Sequence, residues 1–508
     1  MKRIVAILLC AVLLLTGCGA KKKPYQPTGN GLMVDDITLP TGPAVTEQQM
    51  SLAYYPSRSL DPYRCSDYTN RVLFGLVYQG LFAVDASYQA WPVLCERYRI
   101  SQDMRTYTFY LAKATFSDGS DVTASDVAAS LRHAMKSDVY QGRFGNVERV
   151  EVETDGAVVV QLKVPYGELP MLLDVPIVKK SQVGAARPIG TGPYIYEDGD
   201  KETWLRRRTD WWCAADLQVT SQRIDLVRVE NTAQLRDAFE FDDLGLACAD
   251  PGSESYVDFH SDYELWDCEN SIFLYLACNK KSPVLKNQEI RAALSFAIDR
   301  DRIVETYYRG FAYSAVLPAS PQSPYYSTSL ANKLGFDPER LTKAVTAAAL
   351  ESNEIVLLVN TDDGIRLRAA RAIASMLEGC GLKVKMSELD GEKYRQALAD
   401  GNFDLYLGQT KLSANMDLSA FFATEGTLNF GNMGNKATYT LCLEALANRG
   451  NYYTLHQKVL EDGMLCPILF RSYAIFVQRG MFTDFHPARD NVFFYTLGRT
   501  LADAQLKG

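Results

Sequence analysis

Histidine is scarce in this chain. Only His133, His260, His456 and His486 occur in 508 residues. None stands in an HExxH pattern, and neither a GxSxG elbow nor a Walker loop is present. Zinc peptidase, elbow-type hydrolase and P-loop chemistry therefore have no foothold. A bare metal site is not expected either, because clustered ligands are missing. No CxxC occurs, which removes zinc-ribbon and thioredoxin-like readings. Runs of three basic residues are limited to Lys21-Lys22-Lys23 and Arg206-Arg207-Arg208, and the formal charge is −8. Phosphate backbones are held by clustered Lys and Arg, so nucleic acid is not an expected partner. Long apolar runs are missing after the first residues, so no internal membrane span is expected. No catalytic residue, cofactor or metal is assigned. An exported hydrolase stays open as a second class, since paired carboxylates cannot be located by spacing.

What is present begins at the N-terminus. Lys2 and Arg3 precede the apolar run from Ile4 to Leu15, which is too short for a bilayer helix. Leu15-Thr16-Gly17-Cys18 follows and resembles a bacterial lipobox, which makes residues 1–17 a signal peptide and Cys18 the lipidated residue. Two acyl chains suffice for stable anchoring. The alternatives are an ordinary secretory signal and an uncleaved anchor. Loss of the leader takes the formal charge from −8 to about −10. Residues 18–46 are rich in Gly, Pro, Thr and Lys, the composition of a tether. Eleven cysteines become nine once Cys10 and Cys18 are set aside. An odd number cannot all pair, and buried free thiols are expected for most. The chain is long enough for two or three domains, and 47% hydrophobic residues supply a large core.

Periodicity then divides the chain into elements. Met50, Leu52 and Tyr54 alternate as a first strand that stops at Pro56. Val72, Leu73, Leu76 and Val77 fit a helix leading to Gly80. Tyr107, Phe109 and Leu111 alternate, Asp118-Gly119 makes a turn, and Thr123 with Asp126 has capping-box spacing. Val127, Leu131 and Met135 continue as one helix face. Residues 147–164 read as a hairpin about Asp155-Gly156. Gly190-Thr191-Gly192 lacks the third glycine and the following helix of a dinucleotide loop, so it is read as a turn. Later, residues 355–359, 365–377, 382–386, 394–399 and 403–407 alternate strand and helix. That pattern indicates βαβ units and a parallel sheet.

Four stretches share their wording with one family. They are Val77-Tyr78-Gln79-Gly80-Leu81, Phe116-Ser117-Asp118-Gly119, Pro188-Ile189-Gly190-Thr191-Gly192-Pro193-Tyr194 and Arg291-Ala292-Ala293-Leu294-Ser295-Phe296-Ala297-Ile298-Asp299-Arg300. In this order, across roughly residues 50–480, they resemble the extracellular solute-binding proteins of family 5, the peptide- and nickel-binding receptors of ABC importers. One departure is local: Arg207-Arg208-Thr209-Asp210-Trp211-Trp212 lacks the family's Asn.

The resemblance implies an α/β, two-lobed periplasmic-binding-protein-like fold of the cluster C type, with an extra subdomain in the first lobe. It implies lobe I from residues 47–76, 186–276 and 478–508, an inserted subdomain at 77–185, and lobe II at 277–477. Crossings near Asn279 and at Ala474–Val477 would form a hinge. By the same resemblance Tyr54 and Tyr55 line the cleft, or else pack their strand into its sheet. Tyr140 is offered to ligand from the loop after a helix. Gly408-Gln409-Thr410-Lys411 lies beyond a strand's carboxyl end, where open α/β sheets bind ligands. In peptide receptors that loop reads Gly-Trp-x-x-Asp, and the Asp holds the peptide's amino group. Here Gln409 replaces the Trp and Leu412 the Asp; the nearest acid is Asp417. Lys411 offers a cation to a carboxylate, or is simply solvated. Asn429 also falls at a ligand position.

The expected function is capture of oligopeptides or dipeptides outside the membrane and delivery to permease and ATPase subunits by a lipid-anchored monomer. The departures keep a sugar oligomer, a modified peptide or a metal chelate open as ligand. A sensing receptor without a transporter is the further alternative.

Overall fold

The structure is a computed structural model that describes residues 50–215 and 217–506. The expected signal peptide at residues 1–17 and the expected lipidated Cys18 and tether at 18–46 lie outside the described residues.

The main sheet is built from two parallel half-sheets joined by two long antiparallel strands. In the first half-sheet, Met50–Tyr54 lies between Arg223–Arg228 and Leu246–Ala249, parallel to both. The helix Thr232–Glu240 links the two outer strands, capped by the Asn231 side chain on the Gln234 amide. A hairpin, Tyr194–Asp198 with Thr203–Arg207, extends this half outward. In the second half-sheet, Glu354–Asn360 pairs in parallel with Lys383–Leu389 and Leu405–Lys411. The helices Gly364–Gly379 and Gly391–Asp400 supply the crossovers. The alternating pattern is thus real within each half, but the sheet as a whole is mixed rather than parallel.

The joining strands are Tyr263–Cys278 and Leu465–Gln478, both longer than the sequence suggests. Tyr263–Glu269 pairs with Ser472–Gln478, and this end carries the first half-sheet through Leu246–Ala249. Ile272–Cys278 pairs with Leu405–Lys411 and carries the second. Pairing between the two joining strands slips between Glu269 and Phe273, where Ser271 takes a φ of 58°. Bulges of this kind bend a strand and raise its twist.

Within residues 77–185, the stretch expected to form an insertion, a four-stranded antiparallel sheet runs in the order Cys95–Ile100, Thr106–Leu111, Val158–Leu162, Val147–Val152. The expected hairpin is present, with Gly156 at φ 81°. The helix Ala124–Ala134 has its capping box: the Thr123 amide donates to Asp126 Oδ2 at 2.9 Å. Val127 and Leu131 are buried, while Met135 is the half-buried cap.

Three of the four family-like stretches meet in space. A Cβ on Gly190 would stand 2.1 Å from the Val77 carbonyl oxygen, and one on Gly192 2.5 Å from that of Leu76. Only glycine permits that backbone approach. The Ser117 amide donates to Gly190 O at 3.0 Å, and buried Arg208 donates to Phe116 O at 3.0 Å. Arg300, at the end of the fourth stretch, is buried and ties Ser295 O, Ala315 O and Pro467 O together. All nine cysteines of the described residues are free thiols, eight of them buried.

Candidate functional site

Side chains alternate across a strand, so Tyr54 and Tyr55 turn to opposite faces. Tyr54 joins the large core, and Tyr55 joins a second cluster with Leu235, Phe239 and Phe476 under the Thr232–Glu240 helix. Both rings are buried, at 7% and 2% exposure. Arg58 stacks over the Tyr55 ring at 4.1 Å. Tyr55 also borders a cavity of about 220 Å³, beside Asp250 and Tyr473.

Gly408-Gln409-Thr410-Lys411 is not a loop. It completes the strand Leu405–Lys411 and pairs residue by residue with Tyr275 back to Ile272. Strand register therefore sets its directions. Gly408 faces the Tyr275 ring, and a Cβ there would come within 2.5 Å of it. Gln409 and Lys411 share a face. Gln409 Oε1 accepts from Arg471 Nη1 at 3.2 Å, and Arg471 Nη2 reaches both Asp250 oxygens at 2.7 Å. Arg471 thereby links a loop of the first half-sheet to a strand of the second. The Leu412 amide donates to Ser271 O at 2.9 Å, which seats that side chain in the core. Asp417 accepts from the Ser419 amide and hydroxyl at 2.8 and 2.9 Å. Burial raises its pKa, and these bonds oppose the rise.

Lys411 makes the most consequential contact. Its Nζ lies 2.7 Å from Asp490 Oδ1. Asp490 also faces Arg489 at 3.0 Å, Arg71 at 3.6 Å and Arg143 at 3.7 Å. Asp174 pairs with Arg143 and lies 3.5 Å from Arg489. Burial opposes the charge of Asp490, but Lys411, Arg489, Arg71 and Arg143 overcome it and hold the carboxyl well below its usual range. Burial brings the Lys411 ammonium down to about 8, against the pull of Asp490. Its side chain is nevertheless 39% exposed. Tyr140 is buried with Arg143 over its ring at 5.1 Å and Arg71 at 5.8 Å. A cavity of about 70 Å³ opens between Tyr140, Arg71, Arg143, Asp174, Asp490 and Asn491.

Of the expected residues, Tyr140 and Lys411 converge here, with Gln409 two residues along the same strand face. Asn429 stands elsewhere. Its amide donates to Ala423 O and Thr424 O and accepts from the Gly434 amide at 2.7 Å, which closes a turn. That turn docks where Lys280 N donates to Gly431 O, at the Cys278 end of the joining strand. Lys411 pairs at the Ile272 end, six residues away, roughly 20 Å at strand rise. Arg71, Arg143, Asp174, Arg489 and Asp490 were missed by sequence reasoning. They come from distant segments, and no local pattern marks them.

The sequence profile of the bacterial extracellular solute-binding proteins, family 5 (middle region), matches residues 89–429. The chain belongs to this family. Glutathione-binding protein GsiB of Pectobacterium atrosepticum is 25% identical over 391 residues, covering 72% of this chain and 75% of that protein. GsiB of Escherichia coli K12 is 23% identical over 385 residues, 72% of this chain and 73% of the relative. Among solved structures, a putative peptide-binding protein AppA from Clostridium difficile superposes with a TM-score of 0.72 at 16% identity, covering 88% and 98% of the two chains. The substrate-binding protein CtaP of Listeria monocytogenes gives 0.71 at 18%, covering 90% and 99%. These superpositions show the fold: a mixed α/β, two-lobed solute-binding architecture.

The family 5 assignment places the protein among extracytoplasmic binding proteins. Among the described residues, no helix is long and apolar enough to cross a membrane. Leu412 is buried, and the side chain beside it is the cation Lys411.

Proposed function

We propose that this family 5 protein is the receptor of an ABC importer, closing two lobes around small peptides and handing them to permease subunits. The lobes correspond to the two half-sheets, and the slip at Glu269–Phe273 is the hinge. The single observation that carries this reading is the meeting of Lys411 with Asp490. Lys411 ends a strand of the second half-sheet, whereas the Asp490 segment packs against Arg71 and Gly75, next to the first. A site made from both halves responds to what lies between them.

Peptides are the leading class because the relatives are named for glutathione, itself a small peptide. A non-peptide solute is the second reading, supported by the loss of the amine-reading acid at Leu412. Attachment through lipid on Cys18, the permease and ATPase partners and the monomeric state are parts of the same proposal.

Native mass spectrometry of the full-length chain, purified in detergent, tests the reading. A ladder of co-purified peptide masses is expected. One sharp non-peptide mass would move the assignment to the second reading. A bare protein whose melting temperature also stays unchanged across a peptide library would count against the receptor role, since a ligand at about 100 times its Kd adds about 2.7 kcal/mol.

A further inference from the structure

A third cavity, about 470 Å³, is larger than the two described above, and neither Lys411 nor Asp490 lies on its wall. Its volume falls in the range in which proteins hold small molecules, about 300–1,000 Å³. Residues 88–100, residues 167–171 and the C-terminal turn Thr500–Gln505 build it, and Arg449 reaches it from between the helices Lys436–Ala447 and Tyr452–Asp462. The wall holds two kinds of side chain. Tyr88, Trp91, Tyr98, Ile100, Met171 and Leu501 make an aromatic and apolar lining. The polar ends of two of these rings are already engaged: the Tyr88 hydroxyl donates to Glu269, and Trp91 Nε1 donates to Asp85 at 2.9 Å. What those two offer the cavity is carbon surface. Glu168 and Arg449 are the charged members of the wall. They stand 3.6 Å apart, beyond good hydrogen-bond distance, and are 30% and 52% exposed. Glu168 Oε2 accepts from the Tyr325 hydroxyl at 2.7 Å, which orients the carboxylate. Among the described residues, Glu168 Oε1 accepts no hydrogen bond and the Arg449 guanidinium donates none. A free acceptor and a planar fork of donors thus stand side by side, both reachable from water, beside an apolar lining.

We infer that this cavity is a second binding site, and that it takes a free α-amino acid with a large apolar or aromatic side chain. A free α-amino acid carries its ammonium and its carboxylate on one carbon, so a single molecule answers both Glu168 and Arg449 at their short separation. The charged termini of a peptide are set apart by at least one further residue. The ammonium pairs with Glu168 Oε1 and the carboxylate with the Arg449 fork, which replaces one loose contact by two charge-assisted ones. The side chain lies against Tyr88, Trp91 and Met171, where burial of its apolar surface drives binding. The inference goes beyond the receptor reading and stands without it. Tyr88 also connects this cavity to the joining strands, since its hydroxyl holds Glu269 at the slip in their pairing.

The test uses the full-length chain in detergent. Calorimetry compares L-phenylalanine and L-tryptophan with N-acetyl-L-phenylalanine amide, which keeps the ring and loses both charges. The free amino acids are expected to bind, and the amide to bind at least about tenfold more weakly, the loss of a charged hydrogen bond. Glu168→Gln and Arg449→Gln are each expected to weaken L-phenylalanine by about tenfold for the same reason. Arg449 is more than half exposed and can be replaced without unfolding, so that variant remains informative if Glu168→Gln does not fold. Hydrogen exchange is expected to slow in residues 88–100 and 167–171 when L-phenylalanine is added. Neither heat nor slowed exchange with either amino acid at millimolar concentration overturns the inference. Equal affinity for the amide removes the charged head and overturns the ligand class. Binding that both variants leave unchanged, with exchange slowed at residues 408–411 and 490 instead, assigns the amino acid to the receptor's own site and overturns this one.

Discussion

Lys411 and Asp490 are 79 residues apart in sequence, and their charged atoms stand 2.7 Å apart in space. The two partners are not equivalent. Lys411 has one carboxylate and open water beside it, whereas Asp490 is shared by four cations and is 13% exposed.

That asymmetry predicts unequal costs. Asp490→Ala strands Arg71, Arg143 and Arg489 in a buried place and is expected to cost roughly 3–5 kcal/mol. Lys411→Met removes a half-wetted partner and is expected to cost no more than about 1 kcal/mol. Equilibrium urea unfolding of both variants measures the difference. Equal losses would show that the cluster is not held by Asp490.

Gly408 offers a packing test. A Cβ at this position meets the buried Tyr275 ring at 2.5 Å, and that ring is fixed edge-on by Phe421 at 5.1 Å and Tyr406 at 5.8 Å. Gly408→Val is expected to destabilise by roughly 1–3 kcal/mol through overpacking. An unchanged unfolding midpoint would mean that Tyr275 moves freely and that the strand pairing at this point is loose.

His456 predicts a dependence on pH. It is fully buried in the helix Tyr452–Asp462, neither ring nitrogen has a hydrogen-bond partner, and burial pushes its pKa from 6.5 down to about 3. Between those values the unfolded chain takes up a proton that the folded protein refuses. The contribution is therefore complete above about pH 6.5 and is lost as pH falls toward 3, at about 1.4 kcal/mol per pH unit. His456→Leu is expected to flatten the fall in stability between pH 6 and 4 by that slope. Parallel curves for the two proteins would show that the imidazole is protonated in the native state.

Cys18→Ala addresses the anchor. The variant is expected in the soluble fraction, or as an unprocessed precursor of higher mass, while the parent protein stays with membranes. Unaltered membrane attachment at unaltered mass would favour an uncleaved apolar anchor over a lipid.

The sequence by itself determined what is local. Thr123 and Asp126 stand one helical turn apart, so their capping box follows from spacing alone. Asp155-Gly156 set the hairpin, because only the turn residue needs a positive φ. The alternation from Ile355 to Leu407 set two parallel crossovers, because each element buries one face of its own. The wording of four short stretches pointed to the family, and the structure shows the contacts behind two of them: Gly190 and Gly192 permit an approach to the Leu76-Val77 backbone that any side chain would block.

Tertiary structure decided the rest. Gly408–Lys411 reads as a loop because it is polar and short, yet pairing of its four residues with Ile272–Tyr275 makes it strand. The four acidic and amide residues within Glu264–Asn270 hide the first half of a joining strand: pairing with Ser472–Val477 holds it in place. Tyr54 and Tyr55 could not be assigned before the sheet's two faces were known. The site itself was the least legible part. Arg71, Arg143, Asp174, Lys411, Arg489 and Asp490 have no common spacing, and surface charges of their types are ordinary in a chain with 22% charged residues. Their effect arises from Coulomb forces acting in a place shielded from water, and only the folded chain creates that place.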